Sequence, residues 1–272
     1  MRYIASIFLF SLLFVGCKEK SEGAEPIEPE QEMETGQVEL EAETPEASGI
    51  KIHPISHATA VITWDDTNIY LDPVGGASAF EGQKDPDLIF ITDIHQDHLD
   101  LNTLKAMNLD GVKIVVPKAV QEELPNSLAS HLEVMNNGET ITLNGFSIQA
   151  IPMYNLREEA KQFHTKGRGN GYVIEKDGKR LYIAGDTEDI PEMRNLENID
   201  IALVPMNLPY TMPVTAAADA VIEFAPKTVY PYHYRGQNGM ADVQKFKQLV
   251  NEANKDIKVV LEDWYPNETK KQ

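Results

Sequence analysis

Ile89-Phe90-Ile91-Thr92-Asp93-Ile94-His95-Gln96-Asp97-His98-Leu99-Asp100 is the stretch that decides the fold. An apolar, β-prone run from Leu88 to Ile91 ends abruptly in metal-ligand types spaced D-x-H-x-D-H. The strand fixes the backbone, and the loop after it lets side chains two, four and five positions apart converge on one point. Imidazole and carboxylate are the ligand set of zinc and its first-row neighbours. Asp93, His95, Asp97 and His98 are therefore candidate ligands.

Upstream, Ile50 to Leu71 reads as short strands with tight turns, supported by alternation and β-branching. Two polar residues sit at strand ends there, His57 in Ser56-His57-Ala58 and Asp72 in Leu71-Asp72-Pro73. Either can face a site or be a satisfied hydrogen-bonding group, and the residues alone leave that open.

Downstream, a helix is expected over Leu101–Met107 with Asp100 as N-cap, then a strand Val112–Val116 and a helix Ala119–Leu124. Strands Thr140–Leu143 and Phe146–Pro152 flank Asn144-Gly145, a hairpin turn. His131, with no ligand type nearby, reads as surface. Tyr154 to Asn170 is polar, basic and holds one histidine, His164. Arg157, Lys161, Lys166 and Arg168 form a basic cluster, which beside a metal would capture an anionic substrate. Tyr154, Arg157, Arg168, His57 and Tyr210 are the candidate substrate-binding residues.

A second hairpin, Gly171–Ile174 and Arg180–Ala184 across Asp177-Gly178, ends in Gly185-Asp186-Thr187. This repeats the opening device, a buried strand delivering a carboxylate. Ile199–Pro205 is a further buried strand. Thr215–Phe224 reads as a helix capped by Thr215, and Thr228–Tyr234 as the last strand-to-loop transition, which carries His233. Gln244–Asn254 and Val259–Leu261 complete the chain as helix and strand.

The N-terminus has another character. Residues 1–17 carry one positive charge, an apolar run from Ile4 to Val15, and Gly16-Cys17. The run is too short to span a bilayer and has the proportions of a signal peptide. Phe14-Val15-Gly16-Cys17 resembles a bacterial lipobox, whose cysteine is lipidated. The chain then reads as an exported lipoprotein, membrane-anchored at Cys17 and facing the periplasm or cell surface. Cys17 is the only cysteine, so the chain has no internal disulfide and no thiolate ligand. Residues 18–48 hold eleven glutamates against two lysines and no aromatic residue, the composition of a disordered acidic linker. Of the net charge of −19, −11 stays on residues 49–272, which argues against nucleic acid or an anionic membrane surface as partner.

The opening run resembles the H-x-H-x-D-H signature of the metallo-β-lactamase-fold hydrolases, with Asp93 in place of the first histidine. Phe163-His164-x-Lys166-Gly167, Gly185-Asp186-Thr187 and Pro231-x-His233-Tyr234 match the family's later motifs in order. The likeness covers residues 50 to about 265 and is nearest the branch of the ascorbate-phosphate lactonase and the N-acyl-phosphatidylethanolamine phospholipase D. It implies an α/β fold, a single-domain four-layer αββα sandwich over residues 49–268. It also implies two divalent ions, zinc first, with manganese or iron open because of Asp93. Asp93, His95 and His164 would take one ion, Asp97, His98 and His233 the other, and Asp186 would bridge. Asp97 and Asp186 are the implied catalytic carboxylates. Water activated by the bound ions would attack an ester, lactone, amide or phosphodiester of a small-molecule or lipid-like, anionic substrate. The alternative is a non-catalytic metal- or ligand-binding lipoprotein on the same fold.

Overall fold

Three apolar clusters define the layers of the computed structural model, which describes residues 49–266. The expected signal segment, Cys17, the expected acidic linker and the last six residues lie outside the described residues.

The first sheet runs in chain order: β1 (Ile50–Ser56), β2 (Thr59–Trp64), β3 (Thr67–Leu71), β4 (Leu88–Phe90), β5 (Lys113–Pro117) and β6 (Leu132–Met135). β1 to β3 form an antiparallel meander, and β3 to β6 are parallel neighbours. The second sheet begins with β7 (Thr140–Leu143), β8 (Phe146–Met153), β9 (Gly169–Lys176) and β10 (Lys179–Ile183), all antiparallel. It continues in parallel through β11 (Ile201–Pro205) and β12 (Thr228–Tyr232). A small hairpin, β13 (Arg235–Gly236) and β14 (Gly239–Met240), stands apart, and β15 (Lys258–Val259) closes the sheet beside β12.

Alternation along the strands builds the sandwich. Ile69, Leu71, Leu88 and Phe90 meet Phe146, Ile174, Ile183 and Leu203 between the sheets. Their neighbours Tyr70, Ile89 and Ile91 face outward, where α1 (Leu101–Ala106) and α2 (Lys118–Glu123) cover them with Leu104 and Val120. On the far side, Tyr182, Ala202 and Val204 pack under α3 (Pro191–Arg194), α4 (Val214–Phe224) and α5 (Val243–Ala253). The order is helix, sheet, sheet, helix, as the sequence implied. Among the described residues no helix is long and apolar enough to cross a membrane.

Local expectations hold with shifts of one or two residues. Asp100 caps α1 by accepting from the Asn102 amide at 2.9 Å. Asn144-Gly145 and Asp177-Gly178 take the positive φ angles of their tight turns. One expectation fails: α4 begins at Val214, so Thr215 lies inside it, and the cap position is Pro213, which makes no side-chain capping bond.

Candidate metal centre

The parallel strands β3, β4, β10, β11 and β12 all end at one edge of the sandwich, and each hands a polar residue to it. Asp72 follows β3, the Asp93–His98 run follows β4, Asp186 follows β10, Asn207 follows β11 and His233 follows β12. His164 arrives from the loop between β8 and β9, and His57 from the turn between β1 and β2. His57 and His233 adopt left-handed backbone, φ 57° and 48°, conformations that bulky side chains keep only where the surroundings impose them. The surroundings here are main-chain bonds: His57 donates to the Trp264 carbonyl, and His233 donates to the His57 carbonyl. Gly169 lets β9 start close against the metal loop, since a Cβ there would lie 2.8 Å from the Thr92 carbonyl oxygen.

The side chains converge as two groups around one carboxylate. In the first, Asp93 Oδ2 is 2.9 Å from His95 Nδ1 and 3.9 Å from His164 Nε2. His164 Nε2 lies 3.1 Å from Asp186 Oδ2. In the second, His233 Nε2 is 3.2 Å from Asp186 Oδ1 and 3.5 Å from Asp97 Oδ2, and His98 Nε2 is 3.3 Å from Asp186 Oδ2. Metal–ligand bonds of 2.0–2.2 Å in a tetrahedron separate donor atoms by roughly 3.3–3.6 Å, which these spacings straddle. His98 Nε2 and Asp186 Oδ1 are buried without a hydrogen-bond partner among the described residues. Orphaned buried donors and acceptors are costly, and an ion between them removes that cost. The donor set fits divalent metal.

The other nitrogen of His98 and of His164 is held so that Nε2 faces inward. His98 Nδ1 donates to Asp72 Oδ2 at 2.8 Å, and Asp72 in turn accepts from the Thr92 amide at 2.7 Å. Asp72 is thus the group that orients His98. His164 Nδ1 donates to the Tyr210 carbonyl at 3.1 Å. His57 Nδ1 is 2.8 Å from the Tyr265 hydroxyl, and its Nε2 is 3.3 Å from Asp97 Oδ2, so His57 belongs to the wall of the site.

Electrostatics follow from this packing. Burial alone would depress His98, but Asp186 and Asp72 outweigh it and hold the imidazole well above its ordinary range. His233 is raised against burial in the same way, chiefly by Asp186. Burial would raise Asp186, yet His233, His98 and His164 keep it well below the usual carboxylate range. Asp97 is likewise driven low, against burial, by hydrogen bonds from His233 and His57.

A cavity of about 250 Å³ opens onto the centre. His57, His95, Asp97, His164 and Asp186 form its polar side; Phe163, Asn207, Tyr210 and Arg235 form the remainder. A larger, more apolar cavity of about 390 Å³, lined by Met206, Leu208, Val214 and Met240 among others, holds no titratable side chain.

The expected anion-binding cluster is corrected by its contacts. Arg157 Nε donates to buried Glu188 at 2.7 Å, and Arg168 grips Asp93. Lys161 pairs with Glu158, and Lys166 with Glu192, each at 2.6 Å. Tyr154 donates to Glu192 at 2.9 Å, away from the cavity. Of the five candidate substrate-binding residues, only His57 and Tyr210 line it. His131 is half-buried, within 3.0 Å of the Val112 carbonyl. Arg235 and Asn207 were missed. Asn207 obeys the strand-end rule after β11 and was findable; Arg235 carries no signal beyond standing two residues after His233.

A β-lactamase superfamily domain matches residues 51–233. A UPF0173 metal-dependent hydrolase of Pyrococcus abyssi is 31% identical over 217 residues, 76% of this chain and 94% of the relative. A solved structure from Parabacteroides distasonis, provisionally assigned as a metal-dependent hydrolase, shares 35% identity over 79% of this chain and 93% of its own, with a TM-score of 0.70. A metallo hydrolase of Ignicoccus hospitalis shares 27% identity over 78% and 94%, with a TM-score of 0.66. With the helix–sheet–sheet–helix order and the edge cluster of histidines and carboxylates, these likenesses have one meaning: the chain belongs to the β-lactamase superfamily, among the metal-dependent hydrolases of the metallo-β-lactamase fold.

Proposed function

We propose that the centre is dinuclear and hydrolyses a small anionic ester, lactone, amide or phosphodiester. The observation that carries this reading is Asp186, whose Oδ2 lies within 3.3 Å of His164 and of His98, one from each group, while its Oδ1 faces His233 and is without a hydrogen-bond partner among the described residues. Asp93, His95 and His164 would hold one ion and Asp97, His98 and His233 the other, with Asp186 shared. Zinc suits this imidazole–carboxylate set, and Asp93 keeps manganese and iron(II) open. When bound, such ions polarise a carbonyl or phosphoryl group and make bound water acidic near neutral pH.

The chain's own residues supply the rest. Asp97, held ionised, presents a carboxylate to the cavity and can accept a hydrogen bond from a nucleophilic water, fixing its direction. His57 keeps Asp97 in place through its Nε2. Arg235 is the cation that lines the cavity, its guanidinium carbon 5.2 Å from the centre of the Tyr265 ring, and it supports an anionic substrate. The exported, lipid-tethered location read from residues 1–48 forms part of the same proposal.

The test is metal analysis of the full chain together with a hydrolysis screen of phosphodiesters, lactones, esters and amides, for wild type and Asp186→Asn. Wild type should retain two ions and turn over at least one class, and Asp186→Asn should lose both properties. A wild type retaining a single ion, or Asp186→Asn retaining two, would refute the shared carboxylate.

A further inference from the structure

Asp93 is fully buried, yet both of its carboxylate oxygens are held by one side chain. Arg168 donates from Nε to Oδ1 at 3.0 Å and from Nη2 to Oδ2 at 2.7 Å, and the same Nη2 reaches the Phe163 carbonyl at 2.6 Å. Phe163 immediately precedes His164, so one guanidinium ties together the two loops that supply the first group of donors. The fork is planar and rigid, which fixes the plane of the carboxylate. Main chain sets its distance, since the Asn170 amide donates to the Thr92 carbonyl at 3.0 Å. A carboxylate oxygen has two lone pairs. Oδ2 spends one on Arg168 and directs the other toward His95 Nδ1 and His164 Nε2.

The charge matters as much as the aim. Guanidinium is always protonated, so Asp93 and Arg168 together carry no net charge. Resting on the dinuclear reading, we infer that Asp93 and Arg168 act as one unit, an oxygen donor with its charge offset that occupies the place of a neutral histidine ligand. Arg168 is then a positioning residue for the first ion, and neither partner is replaceable alone.

The pair is tested on the full chain by ion stoichiometry and by competition between zinc and manganese, in Asp93→His, Arg168→Gln and the double variant. Asp93→His places an imidazole beside a guanidinium that has lost its anion, next to a dication. It should bind the first ion about 10–100-fold more weakly. Adding Arg168→Gln should restore two ions. Arg168→Gln alone leaves a carboxylate with its full charge, and its zinc-over-manganese preference should fall about tenfold. Asp93→His holding two ions at unchanged affinity, or a double variant no better than the single, overturns the inference. If Asp93→His does not fold, an unchanged zinc-over-manganese preference in Arg168→Gln overturns it instead. A wild-type chain that binds no ion fails the dinuclear reading itself, whereas two ions in wild type with indifferent variants fail the pair alone.

Discussion

Arg157→Ala separates a structural clamp from a substrate-binding residue. Its guanidinium donates to Glu188 Oε1 at 2.7 Å and to the carbonyls of Pro209 and Thr211 at 3.0 and 2.6 Å. The Glu188 side chain is 1% exposed and that of Arg157 31%. Removing one partner of a fully buried pair costs about 3–5 kcal/mol. Two features lower the cost here. Glu188 keeps two main-chain donors, the amides of residues 156 and 157, each at 2.9 Å, and the arginine end is partly solvated. A loss of about 2–3 kcal/mol follows, which for a domain of this size lowers Tm by about 5–10 °C. The Pro209–Thr211 segment also carries the Tyr210 carbonyl that orients His164, so retention of the first ion should weaken with stability. Thermal unfolding by circular dichroism, with and without added zinc, reads both effects. A Tm within about 1 °C of wild type, combined with a raised KM for anionic substrates only, would refute the clamp and return Arg157 to substrate recognition.

Arg235→Ala should act on recognition: KM for an anionic substrate rises about 10–100-fold, the worth of a charged hydrogen bond, while ion content holds. An equal rise for a neutral analogue would exclude charge recognition. Because His98 and His233 are held above the ordinary imidazole value of 6.5, the ion-free protein keeps protons there to higher pH than a free imidazole does, and an ion must displace them. Ion affinity should therefore climb as pH rises through 6.5 and above, with proton release visible by calorimetry in buffers of different ionisation heat; no release would contradict the assignment. The stability these raised groups lend the ion-free chain runs the other way, present below pH 6.5 and lost as pH rises through their folded values. Cys17→Ala should move the full chain from the membrane fraction to the soluble one, and retention of a processed form on the membrane would end the lipoprotein proposal.

What the sequence made legible was local. Asp93, His95, Asp97 and His98 announce themselves because strand and ligand types adjoin, and Asp186 and His233 repeat the device one strand at a time. The layers came from the resemblance, and the structure shows Leu88 and Phe90 packed between the sheets while Ile89 and Ile91 lie under the helices. What stayed hidden was pairing across the chain. Arg168 and Asp93 stand 75 residues apart, and Arg157 and Glu188 stand 31 apart. Loop 154–170 shows four cations; Glu158 and Glu159 lie beside Lys161 and Arg157 in the same loop, but nothing local shows Glu188, Glu192 or Asp93 as the partners of Arg157, Lys166 and Arg168. The reason is energetic. Asp72, Asp93, Asp186 and Glu188 are buried, and an unpaired buried anion costs more than an arginine gains by facing water. Arginines near such a centre are therefore drawn to Asp93 and Glu188 before they are available to a substrate. A basic cluster beside a metal motif in an acidic protein argues first for neutralised ligands and clamps. Arg235, stacked on the Tyr265 ring, is the arginine that reaches the cavity wall.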